Sequence, residues 1–375
     1  MSHRVIRILH ITTRHNVGGI SKVVLNSLSD ATFEQFYATG YCEKNEKEYS
    51  FKPIRNTYTL YRVKYLKKQI SVYHDILSFI DLTYLIWKIR PDIVHTHMSK
   101  AGFLGRLASL FVFPRPKLIH SYHGHVLNNY FNKQLSWLFT MIEKRLGGVT
   151  NVFQFDGRQI QKEISGLHIK PRNFSIVLLP GIIQNTQNFS LGDRKSSKVR
   201  ILVVSRIETI KGIDKLLEVA SIIQYKYNIN NFEIIVIGGG SQLKYYKKIS
   251  KKKNLNIKFL GWKNNVALFY SKSDIFLQLS ESEGTPLSVM EAASFGLPIL
   301  ATNVGSLPDL IDDGINGVLT TKNAGEISLK LQELIKDSKK RRRMGRNSIE
   351  KSNMEFKVEV FQKKQKSIYR KIIKK

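Results

Sequence analysis

The residues best suited to chemistry stand in one short stretch, SESEGTPLSVMEAASFGLPILATNVGSLPDLI. Ser280 closes an apolar run that reads as a strand, Thr285-Pro286 reads as a helix N-cap and first turn, and Gly296 with Pro298 ends that helix. A helix that begins there turns its first N–H groups and the positive end of its dipole toward the strand end, which stabilises an anion such as a diphosphate. Glu283 precedes the helix and Glu291 lies two turns along it. The two carboxylates bracket the helix entrance and can accept hydrogen bonds from two separate sets of hydroxyls, as on a polyol. A plainer reading fits the same residues, with Glu283 complementing the helix dipole and Glu291 solvated on the helix surface.

A second cluster follows another apolar run. Val203-Val204-Ser205-Arg206 ends a strand pattern on a cation, and Lys211-Gly212 arrives as the next helical pattern begins. Arginine engages oxygens bidentately and lysine acts as a point charge, so the pair suits the charge that a departing nucleoside diphosphate develops. Two solvated surface cations are the alternative. In the first half, His15-Asn16-Val17-Gly18-Gly19 links a strand to a helix through glycines that let backbone approach a ligand. The three spaced glycines of a dinucleotide fingerprint are absent, and a tight turn accounts for the loop equally well. Gly238-Gly239-Gly240 is similarly placed after a later strand.

Histidines gather at strand ends, with His95 and His97 in one run and His120, His123 and His125 in another. Alternation divides them between the two faces of a sheet. Neither cysteine nor carboxylate joins them at ligand spacing, so no metal is assigned. His123, beside Gly124, is the functional candidate, as a donor to a hydroxyl or a stabiliser of nearby positive charge; a satisfied core histidine is the alternative.

The elements that position these residues repeat along the chain. Short Val- and Ile-rich runs alternate with longer helical patterns, the signature of parallel sheets flanked by helices. One set of strands is predicted at residues 5–12, 92–97, 117–123, 149–155 and 175–179. A second set is predicted at 199–205, 232–238, 257–261, 274–280, 298–302 and 317–320. Residues 180–200 are polar and turn-forming, which places the domain boundary there. The reading is α/β, two Rossmann-like doubly wound domains facing across a cleft, with ligand at the carboxyl ends of the strands.

The composition bounds the rest. The 375 residues, 42% of them hydrophobic, suffice for two domains with cores of their own. A single cysteine, Cys42, excludes an intrachain disulfide. The opening residues carry no long apolar stretch, and apolar runs such as residues 108–113 are far shorter than the roughly 20 residues of a membrane span. The sequence therefore reads as an unprocessed cytoplasmic protein. Its 60 Lys and Arg against 29 Asp and Glu give a formal charge of +31. Nucleic acid is set aside for want of zinc spacing or an RNA-reading strand motif. An anionic membrane is the better partner, through Arg62, Lys64, Lys67 and Lys68 or the run of residues 339–343, with scattered, functionless lysines as the alternative.

Together the Gly18-Gly19 loop, His123-Gly124, Ser205-Arg206 with Lys211-Gly212, and Glu283-x7-Glu291 with Gly296-Leu297-Pro298 strongly resemble the GT4 family of retaining glycosyltransferases. The resemblance covers nearly the whole chain and implies a GT-B fold. Residues 1–181 would form the acceptor-side domain and 182–355 the donor domain, with a terminal helix at 356–375 crossing back. It implies Arg206 and Lys211 on the donor diphosphate, Glu291 on the ribose, Glu283 on the transferred sugar and His123 at the reacting centre. Backbone amides of Thr285, Pro286-Leu287 and Ser288 and of Gly18-Gly19 would cradle phosphate, and Gly261-Trp262 would lie near the base.

The family implies retention of anomeric configuration, no divalent metal and no other cofactor. A UDP-sugar is the expected donor. The stretches HTHMSKAGFLGRLAS and HGHVLNNYF look like those of bacterial transferases that build surface polysaccharides such as O-antigen and capsule. A lipid-linked saccharide acceptor is thus expected, with the protein peripheral on the inner face of the plasma membrane. Asp309 stands where the family often has Glu, which touches a minor helix contact. Two rivals remain at this point. A sugar-nucleotide 2-epimerase of similar fold needs acidic residues for proton abstraction that the first domain lacks. A basic, nonenzymatic membrane- or nucleic-acid-binding protein needs no such constellation at several strand ends.

Overall fold

The computed structural model describes residues 4–43, 46, 48–49, 57–124, 133–183 and 198–374. His125 and most of the 180–200 boundary segment lie outside the described residues. Chain contacts divide the molecule into two units, Met1–Gly181 with Val358–Lys375, and Ile182–Lys357.

The first unit is built on β1(Arg7–Thr12), β2(Glu34–Thr39), β3(Tyr58–Arg62), β4(Ile93–His97), β5(Lys117–Tyr122), β6(Val152–Phe155) and β7(Phe174–Val177). They form one parallel sheet in the order β3-β2-β1-β4-β5-β6-β7. Helices α1(Gly19–Leu28), α2(Val72–Ile89), α3(Ser99–Ser109), α4(Lys133–Val149) and α5(Arg158–Gly166) connect them. Two strands, β2 and β3, were not among those expected. EQFYAT opens on two polar residues, and YTLYR lies at the sheet edge and is only partly buried, so neither shows the Val/Ile run of a central strand.

The second unit carries β8(Val199–Val204), β9(Phe232–Ile237), β10(Ile257–Gly261), β11(Ile275–Gln278), β12(Ile299–Thr302) and β13(Gly317–Thr320). Their order is β10-β9-β8-β11-β12-β13, again all parallel. Helices α6(Ile213–Ser221), α7(Leu243–Lys252), α8(Ala267–Ser271), α9(Leu287–Ser294), α10(Leu307–Leu310), α11(Ala324–Lys336) and α12(Ser338–Lys351) flank it. A terminal helix, α13(Val358–Ile373), packs in the first unit, where Gln362 Nε2 donates to Asn26 O at 2.9 Å and the Tyr369 ring meets Phe33 edge-on.

Both sheets are doubly wound. Strand order reverses between β1 and β4 in the first and between β8 and β11 in the second, and such switch points are where parallel α/β sheets bind ligands at their carboxyl ends.

One buried ion pair ties α3, β5 and α4 together. Arg106 Nη2 lies 2.6 Å from Glu143 Oε1, and the Tyr122 hydroxyl donates to Glu143 Oε2 at 3.0 Å, with all three residues buried. Removing one partner strands a charge in the core. We expect Glu143→Ala to lower the unfolding free energy of this unit by about 3–5 kcal/mol, measured by urea denaturation. A loss under about 1 kcal/mol would show that the pair is solvated instead.

Candidate active site

In the second unit one predicted cation, Lys211, and the carboxylate Glu283 meet at the switch point. Arg206 and Lys211 follow β8, Glu283 follows β11, and Lys211 Nζ stands 2.7 Å from Glu283 Oε2. The other oxygen, Glu283 Oε1, accepts from Gln278 Nε2 at 2.7 Å and from Ser280 Oγ at 2.6 Å. Glu283 is 6% exposed. With two donors on Oε1 and one on Oε2, Oε2 keeps one lone-pair site for a hydroxyl.

Two glycines permit this convergence. Gly212 has φ +68, and a Cβ there would stand 1.8 Å from Leu279 O; Gly305 has φ +56, and a Cβ there would stand 1.9 Å from Glu283 O. Only glycine allows both the left-handed backbone and the contact. The loops are then joined by Glu281 N donating to Ile210 O at 2.9 Å and Thr302 Oγ1 donating to Ser280 O at 2.7 Å.

Arg206 is exposed and pairs with Glu208 at 3.0 Å, a surface contact that a stronger anion readily displaces. Beside it, Ile207 N donates to Gly239 O at 2.9 Å, and Trp262 packs so closely on Gly239 that a Cβ there would stand 2.1 Å from Nε1. Gly261, at φ +69, turns the chain into Trp262, which is 66% exposed. Arg206, the Gly238–Gly240 loop and Gly261-Trp262 thus share one rim.

Helix α9 begins one residue later than expected. Pro286, at ψ 108, is the N-cap and Leu287 is the first helical residue. Thr285 therefore stands one residue before the N-cap position that the sequence assigned to it. Glu291 lies on α9 with the Tyr270 hydroxyl 3.1 Å from its Oε2 and 3.2 Å from Ser288 O. Burial, and then Glu291, push the Tyr270 hydroxyl well above the usual tyrosine range, so it stays a donor.

In the first unit, Gly18 is the extended N-cap of α1 and Gly19 its first residue, with open space where a Gly18 Cβ would be. The histidines form a chain across the strand ends. His123 Nδ1 is 2.6 Å from Asp156 Oδ2, His123 Nε2 is 2.9 Å from His97 Nδ1, and His97 Nε2 is 3.0 Å from His10 Nδ1. Beyond it, His10 Nε2 lies 3.4 Å from the Tyr369 hydroxyl, which is 2.8 Å from His95 Nδ1; His95 Nε2 lies 2.7 Å from Ser121 Oγ.

An ionised Asp156 only accepts, so His123 donates from Nδ1 and accepts at Nε2. The same rule then passes down the chain and fixes every ring as the Nδ1–H tautomer. Three of the rings, His10, His95 and His97, bring nitrogens within 4.8 Å of one another, and all six of those nitrogens already have hydrogen-bond partners. His120 faces the other side of the sheet, with Nδ1 2.9 Å from Thr96 Oγ1, as alternation requires. Both ring nitrogens of His123 are engaged within the unit, Nδ1 by Asp156 and Nε2 by His97.

Two family models divide the chain. Residues 17–177 match Glycosyltransferase Family 4, and residues 185–351 match Glycosyl transferases group 1. The chain belongs to the GT4-type glycosyltransferases. It is 25% identical over 334 residues, 86% of each chain, to an Escherichia coli UDP-Gal:alpha-D-GlcNAc-diphosphoundecaprenol alpha-1,3-galactosyltransferase. It is 24% identical to the Staphylococcus aureus capsular polysaccharide biosynthesis glycosyltransferase CapM, covering 82% of this chain and 84% of that one. Among solved structures, Thermosynechococcus elongatus sucrose-phosphate synthase superposes at TM-score 0.80 with 18% identity over 98% of this chain and 99% of that chain. Anabaena HepE, in complex with UDP and glucose, superposes at 0.79 with 15% identity over 98% and 100%. These likenesses establish the GT-B fold.

Several residues of this glycosyltransferase's candidate site escaped the sequence reading. Gln278 and Ser280 alternate on one strand face and meet Glu283 only through the turn, and Tyr270 reaches Glu291 from the separate helix α8. His10, Asp156 and Tyr369 come from β1, the end of β6 and α13. Only Ser280 was marked in advance, as a strand end.

Burial lowers His10 to about 3 and holds His95, His97 and His120 well below the usual histidine range. In the unfolded chain each titrates near 6.5. Stability from the neutral rings is therefore full above pH 6.5 and is lost as pH falls from there toward 3. For His10 alone the loss by pH 5 is about 2 kcal/mol. We expect the thermal midpoint of unfolding to drop between pH 7 and 5, and His10→Asn to flatten that slope. An unchanged midpoint over this range would show that the rings are charged or solvated in the folded state.

Proposed function

We propose that this glycosyltransferase moves a hexosyl group from a UDP-sugar to a lipid-linked saccharide, with retention of anomeric configuration, in the assembly of a bacterial surface polysaccharide. The observation that carries the reading is the Lys211–Glu283 pair at the β8/β11 switch point, where the loop after β11 leads into the start of α9. A cation and a helix N-terminus suit a diphosphate, and a carboxylate with one acceptor site left suits a sugar hydroxyl. The E. coli relative is named for a UDP-galactose donor and a diphosphoundecaprenol-linked acceptor, and HepE is described with UDP-glucose.

In this reading Arg206 and Lys211 bind the diphosphate and offset the charge it gains on departure. Amides of the Thr285, Pro286-Leu287 and Ser288 segment face phosphate oxygens, proline supplying none. Glu283 accepts from the transferred sugar, Glu291 from the ribose, and Gly261-Trp262 lies along the base. The Gly18-Gly19 turn offers its amides to phosphate. His123 faces the reacting centre, held in place by Asp156 and His97. The donor phosphate takes the acceptor proton, and the protein's own cations replace a divalent metal. The protein works at the cytoplasmic face of the membrane, where such acceptors are presented.

Turnover tests this directly. With UDP-galactose or UDP-glucose and a synthetic short-chain polyprenyl-diphosphate GlcNAc acceptor, we expect an α-linked product, seen in the anomeric proton coupling, and full activity in EDTA. Glu283→Gln should lower kcat/KM by about 100-fold, about 2.7 kcal/mol of transition-state stabilisation. Epimerised UDP-sugar formed without acceptor would favour the epimerase, and a β-linked product or activity abolished by EDTA would overturn the retaining, metal-free assignment.

A further inference from the structure

Helix α2 is apolar on two opposite faces. Ser78, Leu82, Leu85, Ile86 and Ile89 face the core. Tyr73, Ile76, Ile80, Tyr84 and Trp87 face outward, at 68%, 55%, 54%, 58% and 53% exposure. At 100° per residue these five fall within an arc of roughly 80°. Phe111 and Phe113, the latter 89% exposed, extend the surface beyond the end of α3. Phe79, Ile80, Tyr84, Trp87, Phe111 and Val112 line one groove, where the Phe79 and Phe111 rings meet edge-on at 5.3 Å. A solvent-facing helix gains nothing from such a stripe, and an apolar patch of this extent marks a docking surface.

The charge around the stripe identifies its occupant. Lys67 and Lys68 precede the helix, Lys88 and Arg90 end it, and Arg115 follows Phe113; all are exposed, and none makes an ion pair with a described residue. Of the carboxylates on α2, Asp75 pairs with Lys100. Arg62, from the basic run singled out in the sequence, is held by Glu48 at 2.6 Å and by Gly40 O, so that run contributes through its lysines. Aromatic side chains over apolar ones, rimmed by lysine and arginine, complement a bilayer surface whose phosphates are anionic. No described helix is long and apolar enough to cross a membrane.

We propose that the outward face of α2, with Phe111 and Phe113, seats this unit on an anionic lipid surface. The apolar side chains enter the headgroup region, and Lys67, Lys68, Lys88 and Arg115 meet lipid phosphates. The inference deepens the reading of a lipid-linked acceptor and rests on it for its purpose, while the surface is argued from its own residues.

Flotation with vesicles of phosphatidylcholine, with and without phosphatidylglycerol, tests it on the full chain. We expect at least tenfold stronger binding to the phosphatidylglycerol vesicles, weakened by salt. Trp87→Ser with Phe113→Ser, and separately Lys67→Glu with Lys68→Glu, should each reduce it at least tenfold. UDP affinity, measured on each variant, reports an intact second unit, and circular dichroism an intact first unit. Native-like flotation of both variants, or none by the native chain, overturns the proposal. So does a native dimer that the Trp87→Ser/Phe113→Ser variant dissolves, which makes a second copy the occupant. Vesicle binding with no UDP binding would defeat the transferase reading and leave the surface standing.

Discussion

Glu283 is a carboxylate withdrawn from water at a strand end, and the second unit's candidate site is arranged around what that burial requires. A buried charge is tolerated only when paired and fully hydrogen-bonded. Lys211 supplies the opposite charge, and Gln278 and Ser280 fill the other oxygen. Those partners come from two strands that the doubly wound order makes neighbours, and they reach bonding distance because Gly212 and Gly305 lack side chains. Fold, glycine placement and charge pairing are thus one constraint seen at three scales. The result is a rigid carboxylate beside a cation and a helix start, a preorganised arrangement that needs little rearrangement when an anion arrives.

In the first unit Asp156, His123, His97, His10, Tyr369 and His95 are linked end to end by hydrogen bonds, and burial holds His97, His10 and His95 below the usual histidine range. Tyr369 carries the chain through α13, which makes the terminal helix part of the same network as His123. In this arrangement protonating a ring at Nε2 would remove the hydrogen bond that nitrogen accepts, which holds each ring in one orientation.

The fold was legible because parallel strands buried on both faces read as Val/Ile runs, and VRILVV and FEIIVI are such runs. The strands β2 and β3 were not, since their burial rests on aromatic and polar side chains that carry no such run. The meeting of Lys211 with Glu283 was legible because charged groups just after strand ends have few structural reasons to be there. Gln278, Tyr270, Asp156 and Tyr369 were not, because each acts through a contact made between distant segments. His123 shows the limit most plainly. Its position was readable, while the engagement of both its ring nitrogens depends on His97 and Asp156, which stand at the ends of other strands.

We propose Arg206 and Lys211 as the diphosphate end of a uridine-nucleotide site. Calorimetric titration of the native chain with UDP, GDP and ADP, repeated with Arg206→Ala, measures it most directly. We expect micromolar binding of UDP above the other two, with a loss of about 1.5–3 kcal/mol on removing the guanidinium. Folded protein that binds no nucleotide, or that binds UDP equally well without Arg206, would contradict it.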